Sequence, residues 1–216
     1  LSSPQAATDA AGVASVSATS STAGLASVGA TVGGVVLGPQ PITFEAGPAA
    51  ALVLTAQPSA GVAGVPLSPL TVAARDAFGN ATALPGDAAV GLLASPAGAV
   101  LSGTATQPAG PGASFADLSV QRSGAYRLRV SSGPLAVDGD AFTVAPAAAA
   151  ALAFAASPAG PVTAGAPFGA TVELRDAFGN LSTSTAAVTL SAGGSTLVGT
   201  ATVAGAAGVA TFAGLS

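Results

Sequence analysis

The phrase VELRDAFGN at residues 172–180 repeats VAARDAFGN at 72–80, one hundred positions earlier. A long-period repeat constrains a chain more than its composition does, because every copy must fold into the same small unit and stack beside its neighbours. The rest of the chain keeps the same spacing. STAGLASVGATVGG (21–34) aligns with RSGAYRLRVSSGP (122–134), so that Gly24 meets Gly124, Val28 meets Leu128 and Ala30 meets Val130. Ile42 and Phe44 fall on Phe142 and Val144, and PAAALVLTAQPSAG (48–61) falls on AAAALAFAASPAG (148–160). Residues 1–20, 101–120 and 197–216 read as three versions of one stretch.

Within each unit the apolar residues recur every second position. Val72 and Ala74, like Val172 and Leu174, alternate with Arg75, Glu173 and Arg175, and YRLRV sets Tyr126, Leu128 and Val130 opposite Arg127 and Arg129. Such alternation marks half-buried strand. Gly, Pro, Asn, Asp and Ser clusters interrupt it about every ten residues, and no stretch carries a continuous helical stripe. The pattern predicts an all-β fold of tandem sandwiches.

DAFGN then reads as the corner of each sandwich. Asp76 and Asp176 can accept backbone N–H groups at a strand end, and Gly79-Asn80 and Gly179-Asn180 can turn the chain with a positive φ. Phe78 or Phe178 is expected to cover the end of the core.

Composition removes whole classes of function. The chain has no Cys, His, Trp, Met or Lys, and its charges are five Arg against nine Asp and Glu. That leaves no thiolate nucleophile, no disulfide and no zinc site of the usual ligands, and the serines lack a His or Lys base. A net charge of −4 with scattered arginines offers no basic stripe for a phosphate backbone, which argues against nucleic acid. The chain reads as a non-enzyme with no cofactor. Residues 141–172 carry no charge, but Pro146, Pro158, Pro161 and Pro167 with Gly160, Gly165 and Gly169 break the run, so no membrane span is expected there. Without Met, the chain is expected to be a processed or excised piece.

The VxLRDAFGN corner, GTATVAGAAGVATF at 199–212 and TDAAGVASVSATSSTAGLASVGATV at 8–32 together resemble the bacterial immunoglobulin-like repeats of the invasin and intimin type. The resemblance implies immunoglobulin-like sandwiches in a stalk or spacer at the surface of a bacterial cell. Laid on that fold, 1–47 supplies the C-terminal strands of one sandwich, 48–147 a complete sandwich, and 148–216 the N-terminal strands of a further one. The partial units at either end read as a window cut from a longer array or as halves that consecutive chains complete by strand addition into a filament, so the expected partners are neighbouring domains or copies of the chain itself. The alternative is an adhesin module that recognises carbohydrate or host protein through its loops.

Four smaller readings complete the sequence view. Tyr126, two residues after Gly124, suits the tyrosine corner of immunoglobulin-like sandwiches. Asp138 and Asp140 in VDGDAF are candidate calcium ligands, although Asp-Gly is first a turn signal. Asn80 and Asn180 open formal glycosylation sequons, NAT and NLS. The short connectors EAGPAAALVL and TVAPAAAAALAF favour a stiff rod outside the cell.

Overall fold

The computed structural model describes residues 6–158, 160–194 and 196–216, and among them every regular element is a strand. The first segment contributes a hairpin, β1 (Gly24–Val32) and β2 (Val35–Phe44). The middle segment holds β3 (Ala51–Ala56), β4 (Ala60–Val62), β5 (Leu70–Arg75), β6 (Ala81–Thr82), β7 (Ala88–Ala94), β8 (Leu101–Ser102) and β9 (Thr106–Gln107). It continues with β10 (Gly112–Phe115), β11 (Ser119–Val120), β12 (Gly124–Ser132), β13 (Leu135–Asp138) and β14 (Phe142–Ala145). The last segment holds β15 (Ala151–Ala156), β16 (Phe168–Arg175), β17 (Ala187–Thr189), β18 (Thr202–Ala204) and β19 (Val209–Leu215).

In the middle segment two sheets face each other. One runs β10-β5-β3, with β6 beside β5, and the other runs β4-β14-β12-β7-β9, with β13 beside β12. The alternation of the sequence decides which side chains meet between them. Leu52, Leu70, Val72, Ala74, Ala113 and Phe115 come from the first sheet; Val90, Tyr126, Leu128, Val130, Phe142 and Val144 come from the second. Arg127 and Arg129 point out, as period two requires. The opening strand divides its loyalty: β3 pairs antiparallel with β5, whereas β4 crosses to pair parallel with β14. This arrangement is an immunoglobulin-like sandwich.

The last segment repeats half of that sandwich. β15-β16-β19 reproduces β3-β5-β10, including the bulge between Phe154 and Ala156 that matches the one between Leu54 and Ala56. β17 and β18 form a separate ribbon, and the second core joins Val172, Leu174, Val188, Ala210, Phe212 and Leu215. The partner strand that β12 provides to β7 has no counterpart against β17 among the described residues. The consequence shows at equivalent positions: Leu52 is 7% exposed and Leu152 is 62% exposed. An open hollow of about 260 Å³ lies beside Leu152, Phe154, Val188 and Leu190.

The hairpin β1–β2 is the mirror case. It matches β12 with the strands that follow it, yet Leu25, Val28, Val32, Val35, Val36, Leu37 and Ile42 are all exposed. Of residues 1–20, expected to repeat 101–120, positions 1–5 lie outside the described residues and 6–20 form no strand. The physical reason is pairing: β10 is a strand because β5 accepts it, and a segment without such an edge gains no ladder hydrogen bonds. No helix among the described residues is long and apolar enough to cross a membrane.

Candidate functional site

The feature that the sequence writes twice is also built twice. At the first DAFGN corner, Asp76 Oδ1 accepts the N–H groups of Phe78 and Asn80, both at 2.9 Å. Its Oδ2 accepts the Gly47 N–H and the Asn80 side-chain amide, again at 2.9 Å. Gly79, at φ 88°, closes the turn in a conformation that costs a residue with a Cβ far more than glycine. A buried carboxylate holding four donors in this way is fully satisfied, which is what permits its burial.

Asn80 carries the corner beyond its own sandwich. Its Nδ2 donates to the Ser21 carbonyl at 2.9 Å, and its Oδ1 accepts the Ala23 N–H at 3.0 Å. The second corner uses the same atoms. Asn180 Nδ2 donates to the Gln121 carbonyl at 2.7 Å and Oδ1 accepts the Ser123 N–H at 3.0 Å, while Asp176 Oδ2 takes the Ala147 N–H at 2.9 Å. Each asparagine thus fastens the loop before β1 or β12 to the sandwich that follows, and each aspartate holds the connector between them. Every partner at one joint lies one hundred positions from its equivalent at the other.

The phenylalanines depart from expectation. Neither caps its own core: Phe178 leans out against Gly64 of the middle sandwich, so closely that a methyl group at Gly64 would overlap its ring. Phe78, the matching residue at the first joint, is 71% exposed. The reason is the turn itself. Asp76 and Asp176 draw the Phe N–H inward, so the side chain is directed away from the sheet that the corner closes.

Among the other sequence candidates, Tyr126 is buried and stacks on Phe142 with ring centroids 5.9 Å apart. Its hydroxyl donates to the Arg122 carbonyl at 2.7 Å, and burial raises its pKa against the opposing charge of Arg122. Asp138 and Asp140 do not converge. Arg129 takes Asp138 in a two-pronged pair at 2.6 and 3.0 Å, and Gln57 donates to Asp140. No group of three or more acidic side chains suited to a metal occurs among the described residues. At the two sequons, each Nδ2 already donates twice, to a carbonyl of the preceding loop and to the corner aspartate. A glycan on either nitrogen would take one of the hydrogens that the joint uses.

The acid behaviour of the corner follows from its donors. The Asn80 amide, with the Gly47, Asn80 and Phe78 N–H groups, lowers the Asp76 pKa to about 2 against the opposing effect of burial. For Asp176 burial pushes upward, but the Asn180 amide and the N–H groups of Ala147, Asn180 and Phe178 outweigh it and the pKa is lowered. A pKa lowered by folding means that the group stabilises the fold above its unfolded value, near 4, and that this contribution is lost as pH falls toward the folded value. Thermal stability is therefore expected to drop between about pH 4 and pH 2. Melting curves of Asp76→Asn across that window should be flatter than those of the parent; parallel curves would remove Asp76 as the source.

Sequence reasoning found the Asp, Gly and Asn of the corner as a local turn and missed its partners. Gly47, Ala147, Ser21, Gln121 and Gly64 carry no motif of their own. The available signal was the position of both DAFGN phrases a fixed distance beyond a connector.

The fold and its repeated joint define a chain of tandem immunoglobulin-like β-sandwiches. No family model and no curated protein matches the sequence. Among solved structures, the chain is similar to surface layer protein SbsC domains 1–6, at 17% identity over 90% of this chain and 25% of that one, with a TM-score of 0.34. It is also similar to SbsC domains 4 and 5, at 18% identity over 58% of this chain and 66% of that one, with a TM-score of 0.32. For SbsC domains 5–6 the identity is 13%, covering 77% and 84%, with a TM-score of 0.31. The chain thus spans about a quarter of the first of these.

Proposed function

We propose that this chain is a non-catalytic, load-carrying segment of a stalk or filament outside a bacterial cell. Its units are 1–47, 48–147 and 148–216, and successive units are fixed to one another rather than merely linked. The observation that carries this reading is the joint, in which Asn80 and Asn180 make the same two bonds to the preceding loop. A flexible string of domains needs no such fastening, whereas a member that transmits force or holds an angle does. Five arginines and no lysine leave few sites for trypsin-like proteases, which suits an extracellular setting.

Where copies of this chain meet end to end, the partial sandwiches of 1–47 and 148–216 can complete one another. Among the described residues β17 has no partner on the edge where β7 receives β12, and β1 is the counterpart of β12. A second copy that lays β1 against β17 restores the missing ladder and covers Leu152 and Phe154. The contact is heterologous, so it propagates as a filament. An adhesin reading would need an exposed aromatic group at a loop tip. Phe78 fits that description, but its equivalent Phe178 serves a joint.

Electron microscopy of the purified chain at rising concentration tests this. Ordered fibres with an axial repeat on the order of 80 Å, two sandwich lengths of about ten strand residues plus loops, are the expected result. Monomers with one protected sandwich and frayed ends at every concentration would overturn completion between copies.

A further inference from the structure

Three segments of the middle sandwich meet the second DAFGN corner, and the sheet order fixes their arrangement. β14 lies between β4 and β12, parallel to the first and antiparallel to the second. The turn that follows β4 and the loop that precedes β12 therefore stand on the two sides of the connector that leaves β14. Asp176 holds that connector at Ala147, Asn180 holds the loop on the β12 side, and Phe178 lies on Gly64 on the β4 side. The Gly64 turn is itself anchored. Ala63 N–H donates to the Ala145 carbonyl at 2.9 Å, Gly64 N–H to the Val120 carbonyl at 2.8 Å and Leu67 N–H to the Leu118 carbonyl at 2.7 Å. A ring pressed on this turn meets backbone that is tied down on either side.

We propose that Gly64 sets the angle between the middle unit and the last one, by giving Phe178 a seat that braces the connector opposite Asn180. This rests on the reading that successive units are fixed to one another. Two fastenings, at Ala147 and at the 121–123 loop, leave a rotation about the line between them. Phe178 on Gly64 stops that rotation, and the ring withdraws apolar surface from water as it seats. The position makes two separate demands for glycine. Its φ is 76°, which asparagine also adopts, and the place of a Cβ is taken by the Phe178 ring, which excludes every side chain while the ring is seated. Only the second demand belongs to the joint. A side chain at position 64 wedges the units apart on the β4 side, so the curvature of a stalk is written in that one residue.

Distances between paired spin labels on the full chain test this, and the absence of cysteine lets introduced ones define the label sites. One pair joins Ala60→Cys in β4 to Thr211→Cys in the last unit. The other joins Thr106→Cys in β9, at the opposite edge of the same sheet, to Thr211→Cys; all three positions are exposed. Gly64→Asn is expected to lengthen the first mean distance and shorten the second, each by on the order of 3 Å, since carbons in contact stay about 3.5–4.0 Å apart. Phe178→Ala, which leaves the turn untouched, should broaden both distributions. Gly64→Asn added to Phe178→Ala should then move neither mean. Tyr126, the single tyrosine, is buried in the middle sandwich, and its near-ultraviolet circular dichroism should be the same in every variant. Narrow, unshifted distances in both single variants would overturn the brace and leave the Asn180 fastening standing. Equal shifts from Gly64→Asn with and without Phe178 would trace the effect to the turn alone and overturn the brace as well. A broad distribution in the parent would overturn the fixed joint and the brace together.

Discussion

Replacing Asn180 with aspartate is expected to unfasten the middle unit from the last one while leaving the middle sandwich folded. The change deletes both donors of Asn180 Nδ2, one to Gln121 at 2.7 Å and one to Asp176 at 2.8 Å. It also sets a second carboxylate against Asp176, and two carboxylates at that distance disfavour each other's ionisation. Loss of the bond to a charged acceptor alone is worth about 1.5–3 kcal/mol, and the neutral bond adds about 0.5–1.5 kcal/mol. Small-angle scattering should show a broader distribution of interatomic distances than in the parent. Asn180→Ala should fall between the two, since it removes the bonds without adding charge. An unchanged scattering profile for Asn180→Asp would mean that the amide does not hold the joint.

A second large effect separates two leucines that the sequence presents as equals. Leu52→Ala removes a side chain buried between two sheets and should cost about 2–5 kcal/mol. Leu152→Ala, at the same repeat position, removes a side chain that is 62% exposed and should change the stability of the single chain by about 0.5 kcal/mol or less. Denaturant unfolding at low concentration checks the pair. On the proposed completion between copies, Leu152→Ala should become costly in assembled fibres as well. Equal costs in the dilute chain would show that 148–216 already buries Leu152 in solution.

The all-β fold was legible because its signal is local. Period two over Val72 and Ala74, or over Tyr126, Leu128 and Val130, states which side of a strand is buried, whatever it packs against. Glycine in DAFGN states a turn in the same way, and the bulge that recurs at Leu54/Ala56 and Phe154/Ala156 follows its duplicated text. The reading failed where a residue's role depends on a partner far along the chain. Phe78 and Phe178 were expected over their own cores because a large apolar residue beside a strand normally serves the nearest sheet. The corner directs them outward instead, Phe178 onto the middle sandwich and Phe78 into solvent. Residues 6–20 resemble 101–120 in text but not in conformation, because a strand exists only where an edge accepts it.

By itself, the sequence determined the repeat, the alternating strands and the corner chemistry, since each depends on residues within a few positions of one another. Tertiary structure alone decided that Asn80 and Asn180 bond to loops 57 and 59 residues away, and that Gly64 receives Phe178. It also decided which copies of one pattern are buried and which stand open. Hydrogen bonds and apolar burial act at contact distance, and contact between distant segments is set by how the sheets stack.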